Sequence, residues 1–245
     1  MDNRNVIITG ANRGIGLSLV REFAKNGDSI WACARKKTDE FEKELEILTK
    51  ETGVVIKPIY FDLSDENEIK RGLKEIFSEK KKIDILINNA GVPFGGLLTM
   101  TPISTVREVF EINLFAQIQI MQLVSRQMMK QKSGCIINMC SVGGIETNPG
   151  YLAYGSSKAA LIWVTKSISK ELAPYNIRVN GIAPGLIDTE MGNYKSEKEL
   201  EKVFNRMSIK RMGQPYEIAR AALYIASDDA QYMTGHIMVL DGGRL

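Results

Sequence analysis

The sequence predicts a doubly wound α/β fold, in which parallel strands alternate with helices that cover both faces of one sheet. Two observations support this prediction. Seven short apolar runs have the length of strands buried on both faces, and the longer segments between them carry apolar residues at helical spacing. Such repetition implies parallel strands joined by right-handed crossovers, and ligands of these sheets bind at the carboxyl ends of the strands.

The predicted elements follow one another along the whole chain. The strands are predicted at residues 5–9, 29–34, 54–61, 83–88, 134–141, 177–183 and 236–240. The main helices are predicted at residues 16–26, 66–80, 105–131 and 156–173, the last of which ends before a proline that cannot continue it. The charged stretches 36–50 and 195–202 are interpreted as solvated helix faces. With no linker or repeat between these elements, we expect one domain over residues 1–245.

The composition narrows the classes of protein to which the chain can belong. Net charge is +3, from 32 basic and 29 acidic residues, and this balance does not indicate nucleic-acid or membrane binding. Three cysteines without a CxxC pair argue against a zinc site or a disulfide framework, and Cys33 and Cys140 lie in strand-like runs that predict burial. We therefore expect no bound metal. The N-terminus has no secretory h-region, so we expect a cytoplasmic protein.

A glycine-rich stretch, TGANRGIG at residues 9–16, follows the first predicted strand. The amides of a first helical turn lack intrahelical partners, and the helix dipole adds partial positive charge there. Because glycines have no Cβ, Gly10, Gly14 and Gly16 would let a pyrophosphate approach closely. The spacing is GxxxGxG rather than GxGxxG, and a tight turn without a ligand is the alternative interpretation. The position between strand and helix favours a phosphate cradle.

The end of the second strand indicates which nucleotide binds. A carboxylate there would bind the adenosine ribose hydroxyls and favour NAD, but residues 32–36 read Ala-Cys-Ala-Arg-Lys. Arg35 and Arg13 are both placed to meet a ribose 2′-phosphate, which a guanidinium can bind through two hydrogen bonds. The sequence therefore favours NADP(H). Asp62, after the third strand, is a candidate acceptor for the adenine amino group, and helix capping is its alternative role.

A second motif, Tyr-Gly-Ser-Ser-Lys at residues 154–158, places a tyrosine and a lysine on one helix face, about 6 Å apart along the axis. A nearby ammonium lowers the pKa of a phenol, so Tyr154 is a candidate general acid toward a carbonyl oxygen, with Lys158 tuning it. Ser141, at the end of the fifth strand, is a candidate donor to the same oxygen. The alternative is a chance pair on a surface helix, and the serine and the glycine stretch favour catalysis.

Together these motifs resemble those of the short-chain dehydrogenase/reductase family over nearly the whole chain. The matching elements, in the family's order, are TGANRGIG (9–16), Asp62, NNAG (88–91), Asn113, Ser141, YGSSK (154–158) and APG (183–185) followed by Thr189. The resemblance implies a seven-stranded Rossmann sheet and hydride transfer between a nicotinamide and a carbonyl or alcohol. It also implies a catalytic tetrad of Asn113, Ser141, Tyr154 and Lys158, in which the asparagine helps to hold a water chain that resupplies protons through the lysine.

The resemblance further implies which residues bind cofactor and substrate. The expected cofactor-binding residues are Gly10, Asn12, Arg13, Gly14, Ile15, Gly16, Arg35, Asp62, Leu63, Asn89, Ala90, Gly91, Tyr154, Lys158, Pro184, Gly185, Ile187 and Thr189. Residues 186–212 are expected to form a lid over an apolar pocket. The expected substrate-binding residues are Ser141, Val142, Leu152, Tyr154, Leu186 and Met191, with Tyr194, Val203, Phe204 and Met207 as further lid candidates.

The C-terminal half is most similar to 3-oxoacyl-[acyl-carrier-protein] reductases, in the stretches RMGQPYEIA (211–219) and ASDDAQYMTGHIMVLDGG (226–243). Those enzymes use NADPH and a substrate bound to a carrier protein. One basic docking position is matched by Lys132. The second is Tyr175 here, a departure from the pattern, and Lys130 and Arg178 are nearby candidates to replace it.

Two other function classes stay open from the sequence. One is a short-chain enzyme acting on a sugar, a small ketone or a secondary alcohol. The other is an NADP-binding regulator without catalysis, which the intact tetrad disfavours. The helices at 105–131 and 154–173 are apolar on more than one face, which predicts a homo-oligomer, a tetramer or a dimer. His236, the only histidine, is expected to have no catalytic role.

Overall fold

A computed structural model describes residues 3–190 and 197–244 of the chain. Its strands are β1 Asn5–Thr9, β2 Ser29–Ala34, β3 Ile56–Tyr60, β4 Ile85–Asn88, β5 Gly134–Met139, β6 Ile177–Pro184 and β7 Ile237–Leu240. Its α-helices are α1 Gly14–Lys25, α2 Asp39–Thr52, α3 Glu66–Ser78, α4 Ile103–Phe110, α5 Ala116–Gln131, α6 Leu152–Leu172, α7 Glu197–Phe204 and α8 Pro215–Ala226.

The seven described strands form one parallel sheet in the order β3-β2-β1-β4-β5-β6-β7, and helices pack on both of its faces. On one face, α1, α2 and α8 bury side chains such as Phe23, Leu45 and Ile218. On the other face, α3, α5 and α6 bury a second apolar layer that includes Leu73 and Ile120. The predicted doubly wound Rossmann sheet is therefore confirmed.

The strand order reverses beside β1, and this reversal creates the crevice in which the candidate site lies. Ile7 of β1 is level with Trp31 of β2 on one side and with Leu86 of β4 on the other. The chain leaves β1 and β4 toward opposite faces of the sheet, so the loops after these two strands separate. Dinucleotides bind at such a switch point in parallel α/β sheets.

Local signals fix several helix ends. The Thr38 hydroxyl caps α2 by accepting a hydrogen bond from the Phe41 amide, and Gly53 ends the same helix in the left-handed conformation. Asp65 caps α3 by accepting from two backbone amides. The Asp62 side chain, three residues before this cap, accepts hydrogen bonds from Ser64 instead.

Two predicted helices differ from the structure. The helix predicted at 105–131 is interrupted by a π-helical turn, Glu111–Phe115, between α4 and α5. The helix predicted at 156–173 begins earlier, at Leu152, where no side chain caps it, so the sequence carries no start signal at that point. The strand predicted at 54–61 is shorter at both ends and the strand predicted at 83–88 begins two residues later, as is usual for boundaries drawn from apolar runs.

The predicted burial of Cys33 and Cys140 is confirmed, and Cys135 is buried as well. Desolvation raises the pKa of each thiol, to about 11 for Cys135 and for Cys140. These thiols act as small apolar side chains of the core. Within residues 3–190 and 197–244, no helix is both long enough and apolar enough to cross a bilayer.

Candidate active site

The glycine-rich loop between β1 and α1 brings backbone atoms closer than any side chain would allow. A Cβ on Gly16 would lie 1.9 Å from the Gly10 carbonyl oxygen, so the turn can close only with glycine there. Gly10 and Gly14 have φ of +63° and +52°, in the left-handed region that favours glycine. The first turn of α1 carries no acidic side chain, so its amides and dipole are available to an anion. This geometry fits a dinucleotide pyrophosphate.

The loop after β4, residues 89–92, is tied to the glycine loop by hydrogen bonds. The Thr9 hydroxyl accepts from the amides of Asn89 and Ala90, at 3.0 and 3.1 Å. The Asn89 side chain donates to the carbonyls of Thr9 and Gly10. The side-chain nitrogen of Asn89, a residue expected to bind the cofactor, thus holds the two loops together.

The residues expected to bind the adenosine end lie at the tips of β2 and β3. Arg35 and Lys36 are exposed, and they lie close enough to Asp62 to lower the pKa of its carboxyl. Hydrogen bonds from Ser64, aided by these two cations, lower the pKa of the Asp62 carboxyl. Asp62 is therefore an anionic acceptor near two cationic side chains, and Arg35 lies exposed at the tip of β2.

Arg13 has a partner that the sequence did not indicate. It is the residue that precedes α1, and its Nη1 lies 2.5 Å from Oε2 of Glu190, 177 residues away in the chain. Both side chains are largely exposed. The segment that carries Glu190 also packs on the glycine loop, because a Cβ on Gly14 would lie 3.3 Å from the Thr189 methyl group. The pair thus joins the glycine loop to the start of the expected lid.

Ser141, Tyr154 and Lys158 converge beyond the carboxyl end of β5. Ser141 lies two residues after the end of β5. Its Oγ accepts a hydrogen bond from the Gly143 amide at 3.1 Å. That bond uses a lone pair of the hydroxyl oxygen and leaves the O–H to donate elsewhere. Tyr154 is in the first turn of α6, one turn before Lys158, whose Nζ is 6.0 Å from the centre of the phenol ring.

Lys158 is buried, and its charge is destabilised there. The side chain is 4% exposed, and Nζ donates to the Met139 carbonyl at 2.8 Å. Desolvation lowers the pKa of Lys158 from 10.5 to about 8. The amine is therefore still mostly protonated at neutral pH, yet it can release its proton far more readily than an exposed lysine can. Such a shift in a cleft is typical of functional sites.

Asn113 lies in the π-helical turn, and its side chain makes three hydrogen bonds to neighbouring groups. Its Oδ1 accepts from the Val92 amide at 2.8 Å, and its Nδ2 donates to the Val92 carbonyl and to Ser157 Oγ. A Cβ on Gly91 would lie 3.1 Å from Asn113 Oδ1 and 3.4 Å from Lys158 Nζ, so these groups meet around Gly91. π-Helical turns are frequent at functional sites.

Gln117 is a residue that the sequence analysis missed. It is buried, and its Nε2 donates to the carbonyls of Ala90 and Ile112, which lie in the 89–92 loop and the π-helical turn respectively. Its only sequence signal is a polar side chain four positions after Asn113 within an otherwise apolar helix face. Ser157, which accepts a hydrogen bond from Asn113, was also missed, because it lies between the tyrosine and the lysine of the motif and was read only as a spacer.

The expected lid residues are only partly described. Leu186 and Gly213 are joined by a backbone hydrogen bond, and Asp188 donates to Gly213, so the two ends of the segment meet. Met207 is buried and packs near Gly242, which supports the simpler interpretation that it anchors the short helix. Val142 is buried beside Ser141, whereas Leu152 is 42% exposed. Met191 and Tyr194 lie outside the described residues.

The residues at the positions of the expected carrier-docking cations lie at the amino ends of the strands, opposite the candidate active site. Lys132 follows α5 just before β5 begins, and Tyr175 follows α6, whose 21 residues span about 30 Å from the catalytic end. Arg178 does not replace a docking cation, because its guanidinium donates to the carbonyls of Ile225, Ser227 and Met233. Lys130 and Lys132 remain exposed.

Comparison with known sequences gives a consistent result. The profile of a family described as Enoyl-(Acyl carrier protein) reductase matches residues 10–244. The 3-oxoacyl-[acyl-carrier-protein] reductase FabG of Thermotoga maritima is 36% identical over 245 residues, which cover 99% of this chain and 98% of the relative. The enzyme of the same name from Chlamydia trachomatis is 34% identical over 243 residues, or 98% of this chain and 97% of the relative.

Solved structures agree in fold and in class. A 7α-hydroxysteroid dehydrogenase complexed with NADH and 7-oxo glycochenodeoxycholic acid matches with a TM-score of 0.92 and 32% identity, over 99% of this chain and 94% of that one. A 3-oxoacyl-[acyl-carrier protein] reductase from Brucella melitensis matches with a TM-score of 0.91 and 28% identity, over 99% and 91%. The protein is thus a FabG-like oxidoreductase of a class that uses nicotinamide cofactors, and it belongs to the short-chain dehydrogenase/reductase family.

Proposed function

We propose that this protein is an NADPH-dependent carbonyl reductase that reduces the ketone of a 3-oxoacyl thioester, with Tyr154 as the general acid. The observation that supports this most directly is the buried Lys158 amine beside the Tyr154 phenol, with the Ser141 hydroxyl at the end of the neighbouring strand. When bound, the reduced nicotinamide would supply a hydride to the carbonyl carbon. The protein must then supply a proton and stabilise the negative charge that develops on the carbonyl oxygen.

Each of the three side chains has a distinct part in that step. Ser141, whose oxygen is fixed by the Gly143 amide, donates a hydrogen bond to the carbonyl oxygen. Tyr154 donates its phenolic proton to the same oxygen. The Lys158 ammonium stabilises the phenolate that is left behind, and its lowered pKa favours passing a proton on toward that phenolate. Asn113 acts here as a positioning residue, since its side chain holds Val92 and Ser157 in place.

Tyr154→Phe tests the acid role. The variant keeps the ring and its packing against Tyr151 but has no proton to donate. Turnover of the ketone should fall by about 100-fold or more, the usual contribution of a positioned acid, while NADPH binding, followed by its fluorescence, should be preserved. Turnover close to that of the wild type would refute the assignment. Ser156→Ala, an exposed change on the same helix, is the matched control.

NADPH is proposed as the cofactor because β2 ends without an acidic residue and Arg35 stands exposed at its tip, near Asp62. A 2′-phosphate placed there would gain a charge-assisted hydrogen bond from the guanidinium. Arg35→Asp should therefore weaken NADPH binding far more than NADH binding. Equal losses for the two cofactors would show that Arg35 does not recognise the phosphate.

The substrate is proposed to be an acyl thioester, carried by coenzyme A in the assay and by a carrier protein in the cell. The curated relatives named above support this, whereas Tyr175 and the occupied Arg178 offer little charge to a carrier. Purified protein should oxidise NADPH when given acetoacetyl-CoA. The ratio of the rate with acetoacetyl-carrier protein to the rate with acetoacetyl-CoA, at equal concentration, measures how much carrier docking contributes. Lys132→Glu should lower the rate with the carrier-bound substrate and leave the rate with acetoacetyl-CoA unchanged. Inertness toward both thioesters would refute the acyl proposal.

A secondary-alcohol dehydrogenase is the second candidate, and the 7α-hydroxysteroid dehydrogenase fold match favours it, at 32% identity. It differs from the main proposal in substrate and not in the catalytic residues. Turnover of apolar cyclic ketones, without turnover of acetoacetyl-CoA, would support it. NADPH binding without turnover of any carbonyl compound would support a non-catalytic regulator instead.

We also propose self-association into a dimer or tetramer, and action in the cytoplasm. Ile103, Phe115 and Trp163, on α4, the π-helical turn and α6, are each more than half exposed, which is unusual for such apolar side chains in a monomer. The three unpaired cysteines agree with a reducing compartment. Light scattering after size-exclusion chromatography gives the mass of the assembly, and a monomer at micromolar concentration would contradict the proposal.

A further inference from the structure

We infer that Glu190 is a specificity-determining residue, which competes with the ribose 2′-phosphate of the cofactor for the guanidinium of Arg13. This inference rests on the proposed use of NADPH. It concerns a side chain that the motifs of the sequence did not single out. It also assigns the ion pair between the glycine loop and the lid segment a part in cofactor selection.

The geometry of the pair carries the first step. Arg13 precedes α1 with an extended backbone, at φ of −162°, and its side chain is 67% exposed. Its Nη1 contacts Glu190 Oε2, and the carboxylate belongs to the segment whose Thr189 packs on Gly14. The ion pair therefore lies beside the mouth of the glycine loop, on the side where the amides at the start of α1 attract an anion.

The chemistry of the ligands carries the second step. A carboxylate and a phosphate monoester both present two oxygens at the spacing of a guanidinium fork, so they compete for the same donors. If Arg13 instead binds both anions through different nitrogens, the carboxylate lies close to a phosphate that carries up to two negative charges and repels it. In both arrangements, the Glu190 charge weakens the binding of a 2′-phosphate.

The same charge has no such effect on a cofactor without that phosphate. NADH gives Arg13 no competing anion at the adenosine ribose, so the Arg13–Glu190 pair can stay formed while it binds. Glu190 is thus expected to narrow the preference for NADPH over NADH.

The test measures dissociation constants of NADPH and NADH by cofactor fluorescence for the wild type, Glu190→Gln, Arg13→Gln and the double variant. Exposed ion pairs are weak, so Glu190→Gln should tighten NADPH binding by about 2- to 5-fold. NADH binding should be unchanged. With Arg13→Gln already present, the same change should tighten NADPH binding less, because only direct repulsion of the phosphate is left to remove. Glu201→Gln, which removes an exposed carboxylate from α7, is the matched control.

Every other outcome overturns the inference. Weaker NADPH binding by Glu190→Gln would mean that the carboxylate orients Arg13 for the phosphate. Equal tightening of both cofactors would mean that Glu190 acts on the shared pyrophosphate or on the lid, and no change would mean that the pair does not compete. The wild-type ratio of the two dissociation constants separately tests the proposed cofactor. A ratio near one would refute the proposed preference for NADPH, and a selective effect of Glu190→Gln on NADPH would still show that the carboxylate opposes the 2′-phosphate.

Discussion

Replacing Lys158 with methionine isolates the energetic effect of a buried ammonium beside Tyr154. Lys158 is 4% exposed, and desolvation lowers its pKa from 10.5 to about 8. At about 1.4 kcal/mol per pH unit, this difference means that the folded state disfavours the charged amine by about 3 kcal/mol at neutral pH. The variant also loses the hydrogen bond to the Met139 carbonyl, which offsets about 1–3 kcal/mol of the gain. We expect Lys158→Met to abolish turnover without loss of stability.

The pH dependence tests this reasoning more sharply, because methionine has no proton to titrate. Below about pH 8 the folded and unfolded chains both keep the Lys158 proton, so the desolvation penalty is constant. From about pH 8 to about pH 10.5 only the unfolded chain keeps it, so rising pH removes the penalty from the folded state. Between about pH 7 and about pH 9.5, the wild type should gain about 2 kcal/mol of stability relative to Lys158→Met.

Urea unfolding at fixed protein concentration, followed by tryptophan fluorescence without cofactor, measures this change. Lys166→Met is the matched control, since it makes the same change at an exposed lysine of the same helix. The stability difference between the wild type and the control should not vary over this pH range. If the difference between the wild type and Lys158→Met is equally constant, burial does not shift the Lys158 pKa and the argument fails.

Two further substitutions test the phosphate cradle and the ion pair between Arg4 and Asp28. Gly16→Ala should abolish dinucleotide binding, because its Cβ would lie 1.9 Å from a backbone oxygen, whereas Gly95→Ala, which meets no atom within 4 Å, should bind normally in the same fluorescence titration. Arg4→Leu should lower the free energy of unfolding by about 2–4 kcal/mol, because it removes the two-point partner of the buried Asp28 carboxylate. As the control, Arg21→Leu removes the more exposed ion pair of Arg21 with Glu44 and should lower the free energy of unfolding by at most about 1 kcal/mol in the same urea titration.

The sequence predicted the parts of the site whose geometry is local. The glycines of residues 9–16 need only a strand before them and a helix after them, and both are visible in the apolar pattern. Tyr154 and Lys158 need only helical spacing to share a face. The switch point then follows from the alternation of strands and helices, because parallel crossovers leave little choice in where the crevice forms.

What the sequence did not predict depends on contacts between distant segments. The apolar pattern of 105–131 is continuous, so nothing in it marks the π-helical turn. In the structure the turn places Asn113 against Val92, and its Ile112 carbonyl is satisfied by Gln117. The Arg13–Glu190 pair likewise joins residues 177 positions apart. Such pairings are set by the tertiary fold and have no local signal.

These long-range contacts converge on the 89–92 loop, and this convergence links the cofactor cradle to the catalytic group. Thr9 binds the loop from β1, Gln117 binds it from α5, and Asn113 holds both backbone polar groups of Val92. Lys158 Nζ lies on the same side of Gly91 as Asn113 Oδ1, since a Cβ on this glycine would meet both atoms. A single short loop is therefore one wall of both sites, and hydrogen bonds from β1, α5 and the π-helical turn fix that loop between the glycine loop and the buried amine.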